Sequence, residues 1–121
     1  MRDGIDSESE TLRHYSSMTG YKVEKCGFFV SKTHPFLGAS PDGLLGKKGV
    51  IEVKRVHPYE AENLEQALLR QHIIKEIDGS LQLNPNHQYY HQVQLQMFCT
   101  GRTWAPFVAS DGKNITIKTV L

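Results

Sequence analysis

The sequence predicts a mixed α/β (α+β) domain, and three observations carry that expectation. A helix-period segment opens the chain. A run of short β-forming stretches with Pro and Gly turn signals follows. Helix-period segments then return before two closing strands around Asp111-Gly112. The order of elements is therefore α, several β, α, α, β, β.

The elements follow in chain order. Residues 1–6 are polar and read as a loose end or a cap. Residues 7–19 read as a helix, with Ser7 and Glu10 spaced as a capping box and Gly20 where a C-terminal stop is expected. Residues 21–31 alternate and carry β-formers, which predicts a strand. Residues 33–38 hold Pro35 and Gly38 and predict a turn. A short strand over 39–45 bends at Pro41 and Gly43, the GKKG stretch at 46–49 is a hairpin turn, and VIEVKRV at 50–56 is the clearest strand of the chain. Pro58 ends it. Leu64, Ala67, Leu68 and Ile74 near helical spacing predict a helix within 59–76, with room for a break. Asp78-Gly79 and Pro85-Asn86 are turns. Residues 87–100 fit either period: Val93, Leu95 and Met97 alternate with glutamines, while Tyr90, Val93 and Met97 fit a helix. Periodicity leaves both open. Residues 103–109 and 114–120 predict the closing strands, with Trp104 and Phe107 as core.

At 121 residues the chain is expected to be one small domain. A hydrophobic fraction of 39% suffices for a core. No apolar run approaches the roughly 20 residues of a membrane span, so a membrane partner is not expected. Nor is there a basic-plus-apolar start of the secretory kind. Cys26 and Cys99 are too few for a disulfide framework, so a reduced intracellular setting is expected, nuclear in a eukaryote and cytoplasmic otherwise. A net charge of +1 excludes a strongly basic coat protein but leaves room for an enzyme with a local basic groove.

The informative stretch is Ser40-Pro41-Asp42-Gly43 followed by Glu52-Val53-Lys54. Glu52 and Lys54 are two apart on a strand, so they share a face. Folding the hairpin about Gly46–Gly49 brings Asp42 toward Glu52. Two carboxylates in one place repel unless a cation sits between them. Mg²⁺ suits such a pair, since it takes one or two carboxylates plus waters and phosphate oxygens, and the Val53 carbonyl offers another oxygen. Lys54 would stand beside that metal and act on water or a phosphate oxygen. Taken singly, an E-x-K triplet is more often a solvated salt bridge and S-P-D-G an ordinary turn. Their combination, with the charges set among Val50, Ile51, Val53 and Val56, points to a charged cleft.

The P-D and E-x-K motifs, with FLGASPDGLL, VIEVKRV and HQYYHQVQLQMFCTG around them, resemble the YqaJ-type, lambda exonuclease-like family of the PD-(D/E)xK nuclease superfamily. The resemblance runs from Gly4 to about Val120. It implies a restriction-endonuclease-like fold, a mixed central sheet flanked by helices. It implies Asp42 and Glu52 as metal ligands and Lys54 as the catalytic lysine. It turns 87–100 toward helix and makes Gln92 the residue that orients water or contacts the scissile phosphate, with Gln94 second. Gly4 and Glu8 match the family's G-x-x-x-E, whose glutamate reaches toward the metal; the ordinary alternative is a carboxylate favoured at a helix N-terminus.

Candidate DNA contacts are Ser40, Arg55, Lys47, Lys48 and Tyr90. Lys47 and Lys48 in a turn are more commonly just solvated, and Tyr89 and Tyr90 fit core, a stacking platform for a base, or both, with core the commoner role for at least one. His87 and His91 have metal spacing without a third soft ligand, so a polar helix start is the better reading. Relative to the family, helices before Gly4 and after the last strand are expected to be missing, including the arginine that grips a DNA 5′-phosphate.

The resemblance thus implies a Mg²⁺-dependent deoxyribonuclease, with Mn²⁺ able to substitute. It would act 5′→3′ on duplex DNA in recombination or repair, beside a strand-annealing protein and as a homo-trimer. The rival readings are a catalytically inactive DNA-binding or assembly module with the same fold, and a structure-selective endonuclease.

Overall fold

A computed structural model of the chain describes residues 3–121, with side chains described in the first helix from Glu8 onward. Twelve elements are present among the described residues: α1 (Asp3–Thr19), β1 (Val23–Glu24), β2 (Phe29–Val30), β3 (Gly38–Ala39), β4 (Gly43–Leu45), β5 (Gly49–Arg55), α2 (Leu64–Arg70), β6 (Ile74–Ile77), β7 (Ser80–Leu83), α3 (Gln88–Thr100), β8 (Ala105–Ser110) and β9 (Ile115–Val120).

The centre is a five-stranded mixed sheet in the order β1-β4-β5-β8-β9. Only β5 and β8 run parallel; the other pairs are antiparallel. A parallel neighbour needs a crossover, and α2, the β6–β7 hairpin and α3 supply it. Helices cover both faces. On one, Val50, Phe107 and Ala109 pack with Leu64, Leu68 and Val93 of α2 and α3. On the other, Ile51, Val53 and Val108 pack with Tyr15 and Leu12 of α1. Strand alternation divides β5 between these cores: Val50, Glu52 and Lys54 face α3, while Ile51, Val53 and Arg55 face away.

Several expected elements are corrected. The first helix starts at Asp3, not Ser7, so the backbone at Ser7 is already helical and the capping-box start does not hold; the Ser7 side chain lies outside the described residues. Gly20 does end the helix, at φ 80°, donating to the Ser16 carbonyl. The single strand over 21–31 is two short ones, β1 and β2, which join different sheets. The expected helix over 59–76 shrinks to α2. Asn63 and Gln66 cap its start reciprocally, and Ile74 begins β6 instead. Ile73 and Ile74 are both buried, which a helix ending in solvent would not give. Asp78 and Gly79 both have positive φ, 52° and 84°, the conformation a two-residue hairpin turn needs. That turn joins β6 to β7, a strand the sequence did not reveal.

Residues 87–100 form α3, capped by His87, whose ring accepts from the Tyr89 N–H. The polar helix start is therefore present, and among the described residues no group of three His, Cys, Asp or Glu side chains is assembled for a metal. Phe107 is core, whereas Trp104 is only half-buried.

Candidate active site

The site is built on the β4–β5 hairpin. Gly43 pairs with Ile51, and Asp42 donates its N–H to the Ile51 carbonyl at 3.1 Å. The residue before β4 therefore stands across from Glu52. Asp42 Oδ2 accepts from the Val53 N–H at 2.7 Å, which ties this carboxylate to the strand that carries the other. Gly43 permits the approach. A Cβ there would lie 2.4 Å from Val23 Cγ1 and 3.2 Å from the Glu24 carbonyl oxygen, so only glycine fits between β1 and β5.

Glu52 is buried, at 7% exposure, which an isolated carboxylate would not tolerate. Both of its oxygens are engaged. Oε1 accepts from Gln96 Nε2 at 2.7 Å, and Oε2 lies 3.2 Å from Lys54 Nζ. Lys54 is half-buried, its ammonium 5.0 Å from the centroid of the Tyr89 ring. Tyr89 in turn stacks on Phe107 at 5.6 Å. The lysine is thus confined between a carboxylate and an aromatic face, on the edge of the α3 side of the sheet.

Asp42 shows what this crowding does. Burial, a hydrogen bond with the Glu8 carboxyl and the nearby Glu52 charge push its pKa up to about 8. The Val53 N–H opposes this and is outweighed. Glu8, exposed on α1, therefore reaches the Asp42 carboxyl, although it arrives from the helix on the other face of the sheet. Burial and two neighbouring carboxyls thus disfavour a second negative charge at Asp42. Hard oxygen donors short of positive charge fit Mg²⁺ or Mn²⁺. Gln96 Oε1 adds a buried acceptor without a donor among the described residues.

The remaining candidates separate. Gln92 is exposed on α3, one turn before Gln96 on the same helix face, and Gln94 is half-buried; the amide that reaches Glu52 is that of Gln96. The sequence held one signal for Gln96: it repeats Gln92 after four residues. Ser40 is exposed two residues before Asp42, and Tyr90 is half-buried on the core side of α3.

Lys47, Lys48, Lys54 and Arg55, close in the chain, do not share one face. Lys54 shares the face of Glu52. Arg55, next in the strand, points to the opposite face, where a cavity of about 150 Å³ is lined by Arg55, Glu10, His14, Ser110 and Lys113. Lys47 and Lys48 are exposed at the hairpin turn, about 13 Å from Glu52 at the usual rise per residue. The turn is fixed there because the Lys48 carbonyl accepts from the Thr103 N–H.

Comparison with known proteins agrees with this architecture. An alkaline exonuclease from Laribacter hongkongensis matches with a TM-score of 0.69 and 28% identity, over 96% of this chain and 55% of that one. The structure of the LHK-Exo complex with dAMP matches with a TM-score of 0.71 and 30% identity, over 99% of this chain and 56% of that one. The chain thus spans little more than half the length of these structures. No curated protein matches it. The model of the YqaJ-like viral recombinase domain matches residues 1–103, which include α1, the β4–β5 hairpin and α3. Since that match takes in the elements that carry Glu8, Asp42, Glu52 and Lys54, and most of the chain, the chain belongs to the YqaJ-like viral recombinase domain family.

Proposed function

We propose that this chain is a Mg²⁺-dependent deoxyribonuclease domain that hydrolyses phosphodiester bonds, acting 5′→3′ from the ends of duplex DNA. The observation that carries the proposal is the placement of Asp42 across from Glu52, with Lys54 Nζ 3.2 Å from Glu52 Oε2.

Asp42 and Glu52 would hold the metal, with the Val53 carbonyl as a further oxygen and Glu8 completing the acidic shell. Magnesium bound there supplies Lewis-acid charge to the phosphate and lowers the pKa of a bound water. Lys54 holds a phosphate oxygen or the attacking water as an ammonium, or, after giving up its own proton, takes that of the water. Its partners limit where the ammonium can go, so it is aimed before substrate arrives. Gln92, exposed one turn from Gln96 on the same helix face, is free to orient water or meet the phosphate without adding charge.

DNA is the partner the family relation implies. Ser40 beside Asp42 and the exposed rim of α3 are the nearest contacts for its backbone. The strand-annealing protein and the trimeric ring follow from the family relation, as does a place in recombination or repair.

The test is digestion of linear, nicked and covalently closed circular DNA with Mg²⁺, repeated in EDTA. An exonuclease consumes the linear form and spares the closed circle. Cutting of the closed circle would replace end-directed action by endonuclease action. Binding of DNA without any product would favour an inactive module.

A further inference from the structure

We infer that Gln96 is a positioning residue for Glu52: its amide fixes the carboxylate so that the metal ligand is aimed before the cation arrives. This rests on the metal-dependent reading of the site.

The amide orientation is chemically fixed. A carboxylate only accepts, so the atom 2.7 Å from Glu52 Oε1 is Nε2, and Gln96 Oε1 points the other way. Gln96 is 6% exposed, and its Oε1 has no donor among the described residues. A buried amide oxygen left without a donor is destabilising. Methionine or leucine would fill the same position, between Val93 and Cys99 on the buried stripe of α3, without that cost. Core packing therefore does not account for this side chain.

Its chemistry does account for what Glu52 needs. The two partners of Glu52 differ in kind. Lys54 is a half-buried cation that meets Oε2 through its charge. Gln96 is buried on a helix and stays on Oε1. A neutral donor orients the carboxylate while leaving its full negative charge for a cation, which a lysine or arginine at this position would not do. A carboxylate at 96 would add repulsion to a site already crowded with acids. The open Gln96 Oε1 then offers an acceptor to a water carried by the metal. Groups that orient metal ligands in this way are commonly worth 10- to 100-fold in metal affinity.

The experiment titrates Mn²⁺ calorimetrically into wild type, Gln96→Met and Gln96→Asn in the absence of DNA, with metal-free melts of each. Gln96→Met keeps length and packing but has no donor; Gln96→Asn keeps the amide one methylene too short. The expected result is a 10- to 100-fold weaker Mn²⁺ affinity for Gln96→Met and a smaller loss for Gln96→Asn. Nuclease rate should recover at saturating Mn²⁺, since the defect lies in filling the site. Unchanged Mn²⁺ affinity in folded Gln96→Met overturns the inference while leaving the metal-dependent reading intact. A lower metal-free melting temperature with unchanged affinity makes Gln96 a structural residue and also overturns it. If Gln96→Met does not fold, wild-type affinity in Gln96→Asn overturns it equally. Wild type that takes up no Mn²⁺ removes the metal-dependent reading, and this inference with it.

Discussion

The Val53 N–H donates to Asp42 Oδ2 at 2.7 Å, so the carboxylate of one hairpin arm is anchored to the backbone of the other, next to Glu52. Strand pairing, and not side-chain flexibility, sets the separation of the two acids. The hairpin thus fixes the two carboxyls that would hold a cation in the proposed function.

Metal dependence comes first. Purified protein should degrade linear duplex DNA with Mg²⁺ or Mn²⁺ and stop when EDTA is added. Ca²⁺ should bind the same oxygens but give little turnover, because its looser coordination holds the reacting groups less well. Gel assays of DNA loss decide this, and full activity in EDTA would sink the metal mechanism.

Lys54→Ala should lower turnover by about 10²-fold or more, the scale of losing one charge-stabilising group in a site. Metal binding and fold should stay near wild type, since the ammonium is only half-buried. Lys54→Arg should not restore the rate: a guanidinium does not give up its proton and is too broad for the gap between Glu52 and Tyr89. Single-turnover rates and Mg²⁺ titrations of both variants make the comparison.

The Asp42 carboxyl sets a pH dependence. Its pKa stands at about 8 in the folded protein against 3.8 ordinarily. Between those values the native state holds a proton that the unfolded chain has released. Stability of the metal-free protein should therefore fall as pH rises from about 4 to about 8. Asp42→Asn should flatten this slope and melt higher than wild type at pH above 8. Mg²⁺ must displace the same proton, so its apparent affinity for wild type should rise with pH up to about 8. Melting curves across pH, with and without Mg²⁺, measure both effects; a slope unchanged in Asp42→Asn would assign it to another group.

Gly43→Ala places a methyl group against Val23 Cγ1, the Glu24 carbonyl and Ile51 Cγ2. Overpacking of this kind costs about 1–3 kcal/mol. Because Gly43 adjoins Asp42, nuclease activity should fall further than the stability loss alone would cause. Urea unfolding and specific activity, measured on the folded fraction, separate the two.

Asn63→Ala serves as the contrast. It removes the capping box of α2, in which Asn63 Oδ1 accepts from the Gln66 N–H at 2.7 Å and Gln66 Oε1 accepts from the Asn63 N–H at 2.9 Å. The expected cost is about 1 kcal/mol, with activity per folded molecule unchanged, since α2 packs behind the site on buried Leu64, Ala67 and Leu68. A loss of activity beyond the loss of fold would tie α2 to catalysis.

The sequence by itself determined what local chemistry controls. The β4–β5 hairpin follows from its turn and from strand alternation, and with it the proximity of Asp42, Glu52 and Lys54. Alternation also puts Arg55 on the face opposite Lys54. The stops at Gly20 and Asp78-Gly79 are dictated by glycine's access to positive φ, and they stand in the structure. Tertiary structure alone decided the rest. Residues 21–31 are β-forming throughout, yet β1 and β2 separate because each pairs with a different partner strand, β4 or β3. Ile73 and Ile74 fit a helical period, but burial beside Leu83 rewards a hairpin there. Gln92, Gln94 and Gln96 are equivalent as helix formers, and only the packing of α3 on the sheet turns one of them onto Glu52. Glu8 meets Asp42 from across the sheet, a contact between residues far apart in the chain that no local period encodes.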